Sequence, residues 1–243
     1  MKKSKYECSI LEHYDSESPE SLEFFRLARN LRHHKNPSEI KSILVTSATK
    51  HEGKSLISAN LAIAIAKREE EKKVLLIDFD LRRPTIHDLF KIKKSPGADS
   101  LLQEKAELLD VVHNSGLRNL KIIPSGQFTD SPSQLLRGAK NALDKCREYF
   151  DILICDSPPV VPTDDANMIA PYIEGVLVVV MAGKTDKVVV KRAIEILDSV
   201  NAKILGIALN NFHKTLPYYY DYSYYRYGYD KKYSDNGKEN RGK

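Results

Sequence analysis

Cysteine is scarce in this sequence. The 243 residues hold Cys8, Cys146 and Cys155, an odd number with no C-x-x-C pair. That excludes a disulfide framework and fits a reducing compartment. All three read as small buried hydrophobes or inert thiols. Long apolar runs are missing too. The longest, Val176–Ala182, has the length of a strand and falls short of the ~20 residues a membrane-spanning helix needs. Met1 to Tyr14 lacks the apolar core of a signal peptide. A soluble chain is expected, with any membrane association coming through a partner. Charge of one sign is also in short supply. The net charge is +5, and Lys231, Lys232, Lys238, Arg241 and Lys243 against Asp235 and Glu239 place +3 of it in residues 231–243. The nearly neutral remainder has no basic stripe, so no nucleic-acid partner is expected.

What is present alternates between short apolar runs and amphipathic ones. Ile43-Leu44-Val45, Val74–Ile77, Leu120–Ile123, Ile152–Ile154, Gly175–Val180 and Lys203–Leu209 read as strands. Lys54–Arg68 and Lys187–Ser199 read as helices, the first with Leu56, Ile57, Ala59, Leu61, Ala62 and Ile65 on its buried side. Ser131-Pro132-Ser133-Gln134 carries an N-cap, an early proline and a capping-box glutamine, and predicts a helix running to about Tyr149. Strands apolar on both faces and separated by helices specify an α/β fold: a doubly wound, mostly parallel sheet covered on both sides. The length suits one such body with extensions. Residues 1–36 read as a loose arm followed by a helix from Ser21 to His34, ended by Asn36-Pro37. Residues 37–213 form the body. Residues 214–243 form a tail in which nine of the thirteen tyrosines fall between Tyr218 and Tyr233 with almost no aliphatic residue. Such a segment cannot build a core and is expected to be disordered in isolation.

Three motifs carry chemistry. Ala48-Thr49-Lys50-His51-Glu52-Gly53-Lys54-Ser55 lies between a strand and a helix and fits the phosphate loop G-x-x-x-x-G-K-[ST], with Ala48 in place of the first glycine. The substitution is harmless if Ala48 keeps a negative φ. Backbone N–H groups from Thr49 to Ser55 would wrap nucleotide phosphates, aided by the helix N-terminus. Lys54 would reach the terminal phosphates of ATP, and Ser55 would ligate Mg2+. Leu56 follows within the same cradle. The second motif, Asp78-Phe79-Asp80-Leu81-Arg82-Arg83, leaves an apolar strand, so Asp78 and Asp80 can point to one side. In open α/β sheets the active crevice lies at the C-terminal ends of the strands, where two carboxylates suit metal and nucleophile handling. The third motif is Asp156 after Ile152–Cys155, the position of the second metal-site carboxylate in phosphate-loop enzymes, often acting through water. Asp80 and Asp156 with Ser55 are the expected metal ligands. Asn210, after the last strand, is a candidate for reading the adenine ring.

The phosphate loop, I-D-F-D-L-R-R-P and I-C-D-S-P-P together resemble the bacterial tyrosine kinases of capsule and exopolysaccharide synthesis, over residues 17–211. The D-x-D-x-R element, here Asp78, Asp80 and Arg82, separates those kinases from related ATPases. The resemblance implies a non-specific protein-tyrosine kinase using ATP and Mg2+, with Lys54, Asp78, Asp80, Arg82 and Asp156 at the catalytic site. It implies a homo-oligomeric ring, such as an octamer, assembled through E-x-x-R-x-x-R, here Glu23, Arg26 and Arg29. It implies autophosphorylation of Tyr218, Tyr219, Tyr220, Tyr222, Tyr224, Tyr225, Tyr227, Tyr229 and Tyr233, besides other protein tyrosine substrates. The chain looks like the split form of the family, a cytoplasmic kinase held at the inner face of the membrane by a separate transmembrane activator. Two alternatives stand beside this. One is a partitioning-type nucleotide-switch ATPase, against which Thr49 stands where those proteins carry a signature lysine, with Lys50 one residue off. The other is a non-enzymatic nucleotide-binding regulator of polysaccharide export, against which stand the intact Lys54, Ser55, Asp78, Asp80 and Asp156.

Overall fold

The strands are β1 (Ser42–Ser47), β2 (Val74–Asp78), β3 (His113–Asn114), β4 (Leu120–Ile123), β5 (Ile152–Asp156), β6 (Gly175–Met181) and β7 (Ile204–Asn210). The computed structural model describes residues 8–32 and 40–211. The strands form one sheet in the order β3-β4-β2-β5-β1-β6-β7, with β3 antiparallel to β4 and the other pairs parallel. The helices are α1 (Pro19–Arg32), α2 (Lys54–Arg68), α3 (Ile86–Phe90), α4 (Ala98–Leu102), α5 (Leu108–Val111), α6 (Pro132–Leu135), α7 (Ala139–Tyr149), α8 (Asp165–Ile169) and α9 (Lys187–Ser199).

Side chains along the central strands alternate between two apolar layers, as a strand period of two requires. Leu44, Leu75 and Leu153 face a layer that includes Ala98, Leu143 and Leu197, from α4, α7 and α9. Ile43, Leu76 and Ile154 face α1, α2 and α3 through residues such as Leu31, Leu61 and Leu89. This is the doubly wound sheet that the sequence specifies, and it sets the C-terminal ends of β1, β2 and β5 side by side.

Several local expectations are corrected. The arm is not loose throughout: Ile10–His13 form a 3-10 turn with a Ser9–Glu12 capping box, and Ile10, Leu11 and Tyr14 pack on the α1–α2 layer. Helix α1 begins at Pro19, ahead of Ser21. Its Ala28 and Leu31 are buried while Leu22, Phe25 and Leu27 are only partly covered. The Arg32 guanidinium, 2% exposed, pairs with Glu69 at 2.9 Å, and Arg68 stacks over the Phe25 ring at 4.6 Å, so α1 is fastened to the end of α2. Leu56 is 44% exposed, because the first turn of α2 rises into the open loop region before the helix reaches the sheet. Ser131 makes no side-chain cap, and the expected long helix is divided into α6, a 3-10 turn at Leu136–Gly138, and α7. At Gly138 the Leu102 carbonyl comes so close that an added Cβ would lie 2.2 Å from it. The expected helix end at His34 and Asn36-Pro37 and the tyrosines from Tyr218 to Tyr233 lie outside the described residues.

Candidate active site

The phosphate loop leaves β1 at Ser47 and enters α2 at Lys54. Ala48 is fully buried and is not among the residues with positive φ, which here are His51 at +64° and Gly53 at +88°. Gly53 is needed for a second reason, since a Cβ there would lie 2.2 Å from Asn210 Nδ2. Asn210 ends β7 instead of following it, and its Nδ2 donates to the Glu52 carbonyl at 2.8 Å. Lys50 and His51 are exposed at the loop surface. Glu52 is 1% exposed, and its Oε2 accepts from the Thr49 N–H at 2.6 Å. The Thr49 N–H therefore points into the loop and is already engaged by a side chain of the loop.

Lys54 reaches across to the exit of β2. Its Nζ lies 2.7 Å from Asp80 Oδ2, and both side chains are largely covered, at 14% and 4% exposure. Lys54 is thus held in a largely buried ion pair. Burial alone would lower the Lys54 pKa, but the charges of Asp156, Asp80 and Asp78 more than offset it and the value is raised. Asp80 also accepts from the Arg83 N–H at 2.9 Å.

Asp78 and Asp156 are fully buried on adjacent strands and face each other in register. Both oxygens of Asp78 serve backbone donors: Oδ1 accepts from Asp80 N at 3.0 Å and Oδ2 from Ile86 N at 3.2 Å. The Asp78 carboxylate thereby shapes the D-x-D turn and the start of α3. Burial, followed by the neighbouring charges of Asp156 and Asp80, pushes its pKa well above the usual carboxylate range. Asp156 Oδ1 accepts from Ser58 Oγ at 3.0 Å, while its Oδ2 is buried with no hydrogen-bond partner. Burial pushes Asp156 up to about 6 against the lowering pull of Lys54.

Three buried carboxylates thus surround one ammonium. Among the described residues no group of three or more His, Cys, Asp or Glu side chains could hold a metal ion by itself. The orphan Asp156 Oδ2 beside Ser55 and Asp80 nevertheless suits a hard divalent cation that completes its shell with phosphate oxygens and water. Mg2+ therefore fits the donor set. Ser58, which positions Asp156, was not legible as a site residue, although its place one turn after Lys54 puts it on the same helix face.

Arg82 turns away from this cluster. Its Nε and Nη2 form a two-point pair with Asp165 at 2.6 and 3.1 Å, and Ser133 bridges the same groups, accepting from Arg82 at 3.1 Å and donating to Asp165 at 2.9 Å. Asp165 is fully buried at the start of α8. Asp165 and Ser133 were not legible as site residues, lying 83 and 51 residues from Arg82. Glu23, Arg26 and Arg29 all lie on the exposed side of α1, with Glu23 and Arg26 ion-paired.

Known proteins share both sequence and fold with this chain. The ParA family, described as NUBPL iron-transfer P-loop NTPase, matches residues 39–228. The tyrosine-protein kinase YwqD of Bacillus subtilis is 32% identical over 225 residues, covering 91% of this chain and 93% of that one. The putative tyrosine-protein kinase CapB of Staphylococcus aureus is 32% identical over 91% of this chain and 99% of its own. Among solved structures, the chimerical protein CapA2B2 superposes with a TM-score of 0.76 at 31% identity, covering 82% of this chain and 88% of that one. The kinase domain of Escherichia coli tyrosine kinase ETK follows with 0.73 at 30%, over 78% and 75%. The cell division ATPase MinD of Pyrococcus furiosus, at 21% identity and TM-score 0.62 over 71% and 73%, shares the fold.

Proposed function

The chain belongs to the ParA-type P-loop NTPases and, within them, to the bacterial tyrosine kinases, and on that premise we propose that it transfers the γ-phosphoryl group of ATP to tyrosine hydroxyls in a capsule or exopolysaccharide system. The observation that carries this reading is the cluster in which Lys54 of the phosphate loop meets Asp80 of the D-x-D-x-R element above buried Asp78 and Asp156. A phosphate loop alone would serve any nucleotide-binding protein. The second acidic element brought onto its lysine is what a transferase needs to place an acceptor hydroxyl beside the γ-phosphate.

Each residue then has a part. Lys54 exchanges Asp80 for the β- and γ-phosphates and neutralises charge there. Ser55, Asp156 and Asp80 are the side chains that would hold Mg2+, which when bound withdraws charge from the phosphate oxygens. Asp80, freed from Lys54, orients the incoming phenol and takes its proton late, since carboxylates are far weaker bases than phenolates. Asp78, with both oxygens on backbone N–H groups, holds the turn that presents Asp80. Arg82 fixes that turn to α8 through Asp165. Asn210, already on the loop carbonyl, stands at the nucleotide end of β7, where an adenine ring would pass.

The preferred substrate is the cluster Tyr218–Tyr233 of a neighbouring copy, with Glu23, Arg26 and Arg29 forming the contact between copies in a ring. A separate membrane-spanning chain supplies the activating segment and keeps the kinase at the inner face of the membrane. Among the described residues no helix is long and apolar enough to cross a membrane, and the longer putative tyrosine-protein kinase EpsB of Ralstonia nicotianae is matched over 28% of its length. The shared fold with MinD keeps one second reading, a nucleotide switch that hydrolyses ATP without transfer. Counting phosphate released against phosphate delivered to a tyrosine-containing polymer separates the two: transfer should vanish in Lys54→Met, and turnover that yields free phosphate alone would favour the switch.

A further inference from the structure

Glu52 occupies a variable position of the phosphate loop, yet it is the most deeply buried of the loop's polar side chains. Its neighbours Lys50 and His51 are exposed, whereas Glu52 is 1% exposed. Besides taking the Thr49 N–H on Oε2 at 2.6 Å, it accepts on Oε1 from the Thr185 hydroxyl and lies 3.5 Å from the Met181 N–H. Met181 ends β6, and Thr185 sits in the turn before α9. That turn is closed on itself by the Thr185 N–H, which donates to the Met181 carbonyl at 3.1 Å. The backbone carbonyl of Glu52 is held from β7, accepting from Asn210 Nδ2.

A carboxylate so near a phosphate site would repel the ligand if it faced outward. It is turned inward, and both oxygens are used as acceptors. This suits glutamate, which has two acceptor oxygens and no donor in its ionised form. The loop donors that meet phosphate are backbone N–H groups, so their directions depend on how the loop is pinned from beneath. The pin joins the loop to a turn 133 residues away in the chain.

We propose that Glu52 is a positioning residue for the nucleotide reaction, clamping the phosphate loop to the β6–α9 turn through Thr185 and so setting the loop's shape before nucleotide arrives. The proposal rests on the nucleotide reading of the loop. Thr185 is its other half, outside every motif of the phosphate-loop pattern, and it makes the clamp testable without touching Lys54 or Ser55.

The experiment is a double-mutant cycle on the full chain with Glu52→Ala, Thr185→Val and the pair, read by the Kd for Mg·ADP and by thermal melting without nucleotide. Each single change should weaken Mg·ADP binding about tenfold, the scale of one buried hydrogen bond lost. The double variant should lose no more than Glu52→Ala alone, and Glu52→Gln, which keeps one acceptor, should recover part of the affinity. Thr185 is only half-buried, so Thr185→Val remains decisive if Glu52→Ala does not fold. Wild-type affinity in Thr185→Val, losses that add in the double variant, or a lowered melting temperature with unchanged Kd would each overturn the clamp. A wild-type protein that bound no Mg·ADP would overturn the nucleotide reading as well.

Discussion

Lys54 Nζ and Asp80 Oδ2 stand 2.7 Å apart, joining the phosphate loop to the exit of β2 across 26 residues of sequence. The lysine that would serve ATP is held by the carboxylate that would serve the acceptor hydroxyl. In Lys54→Ala, the nearly buried Asp80 would be left without its cation beside Asp78 and Asp156. The variant should lose transfer and also about 3 kcal/mol of stability, the scale for breaking a buried pair from one side. Lys54→Met combined with Asp80→Asn should restore the stability and not the activity. Chemical denaturation of the three proteins checks this, and an unchanged midpoint in Lys54→Ala would remove the ion pair from the ligand-free state.

A pH dependence follows from Asp156, whose carboxyl is pushed up to about 6 in the folded protein, against about 3.9 in an unfolded chain. The folded state keeps this proton where the unfolded chain has released it. The contribution to stability is therefore full below about pH 4 and is lost as pH rises through about 6. Asp78 is shifted in the same direction. Asp156→Asn should accordingly melt higher than wild type at neutral pH without ligand, and its curve of stability against pH should be flatter. Mg2+-dependent nucleotide binding should show the opposite trend and weaken as pH falls through about 6. Parallel curves for the two proteins would mean that Asp156 binds its proton no more tightly in the folded chain than in the unfolded one.

The α/β class, the phosphate loop and the order of the acidic motifs were legible because they are local: a strand, a turn and a helix start carry their own apolar periods and small residues. What the sequence did not reveal depends on distant partners. The inward turn of Glu52 needs Thr185, the turn of Arg82 away from the Lys54 cluster needs Asp165, and the burial of Lys54 needs Asp80. The break at Gly138 is likewise set by the Leu102 carbonyl, which no capping pattern near Ser131 records. Asp78 and Asp80 read as an equivalent pair from their spacing, but the backbone donors of Asp80 and Ile86 claim only the first.

Arg82 should behave as a positioning residue. Arg82→Lys cannot reproduce the two-point contact with Asp165, and Arg82→Ala leaves buried Asp165 with the Ser133 hydroxyl alone. Both should lower turnover with little change in nucleotide affinity, and Asp165→Asn should mimic them. The arginine side chain is 40% exposed, so the stability loss should stay near 1 kcal/mol, within the range of partly screened pairs. A variant that lost nucleotide affinity first would place the guanidinium on phosphate instead.

Assembly and tail are tested together. The exposed Glu23–Arg26 pair is worth only tenths of a kcal/mol within α1, so replacing Glu23, Arg26 and Arg29 by alanine should leave the melting temperature nearly unchanged while lowering the mass measured by light scattering. Each tail phosphate adds roughly −1.5 to −2 charge. Four of them reverse the net +5 of the chain, and the phosphorylated ring should come apart. A Lys54→Met chain bearing the tail, mixed with an active chain truncated after Leu216, should be labelled in trans. An oligomer that survives full phosphorylation would exclude the charge switch.

The most direct measurement is phosphoamino-acid analysis of the 243-residue chain after incubation with Mg·ATP labelled at the γ-phosphate, beside Lys54→Met. Label should appear on tyrosine, map to the residues between Tyr218 and Tyr233, and be absent from the variant. ATP consumed at the same rate with no phosphotyrosine formed would contradict the kinase assignment and leave a nucleotide switch.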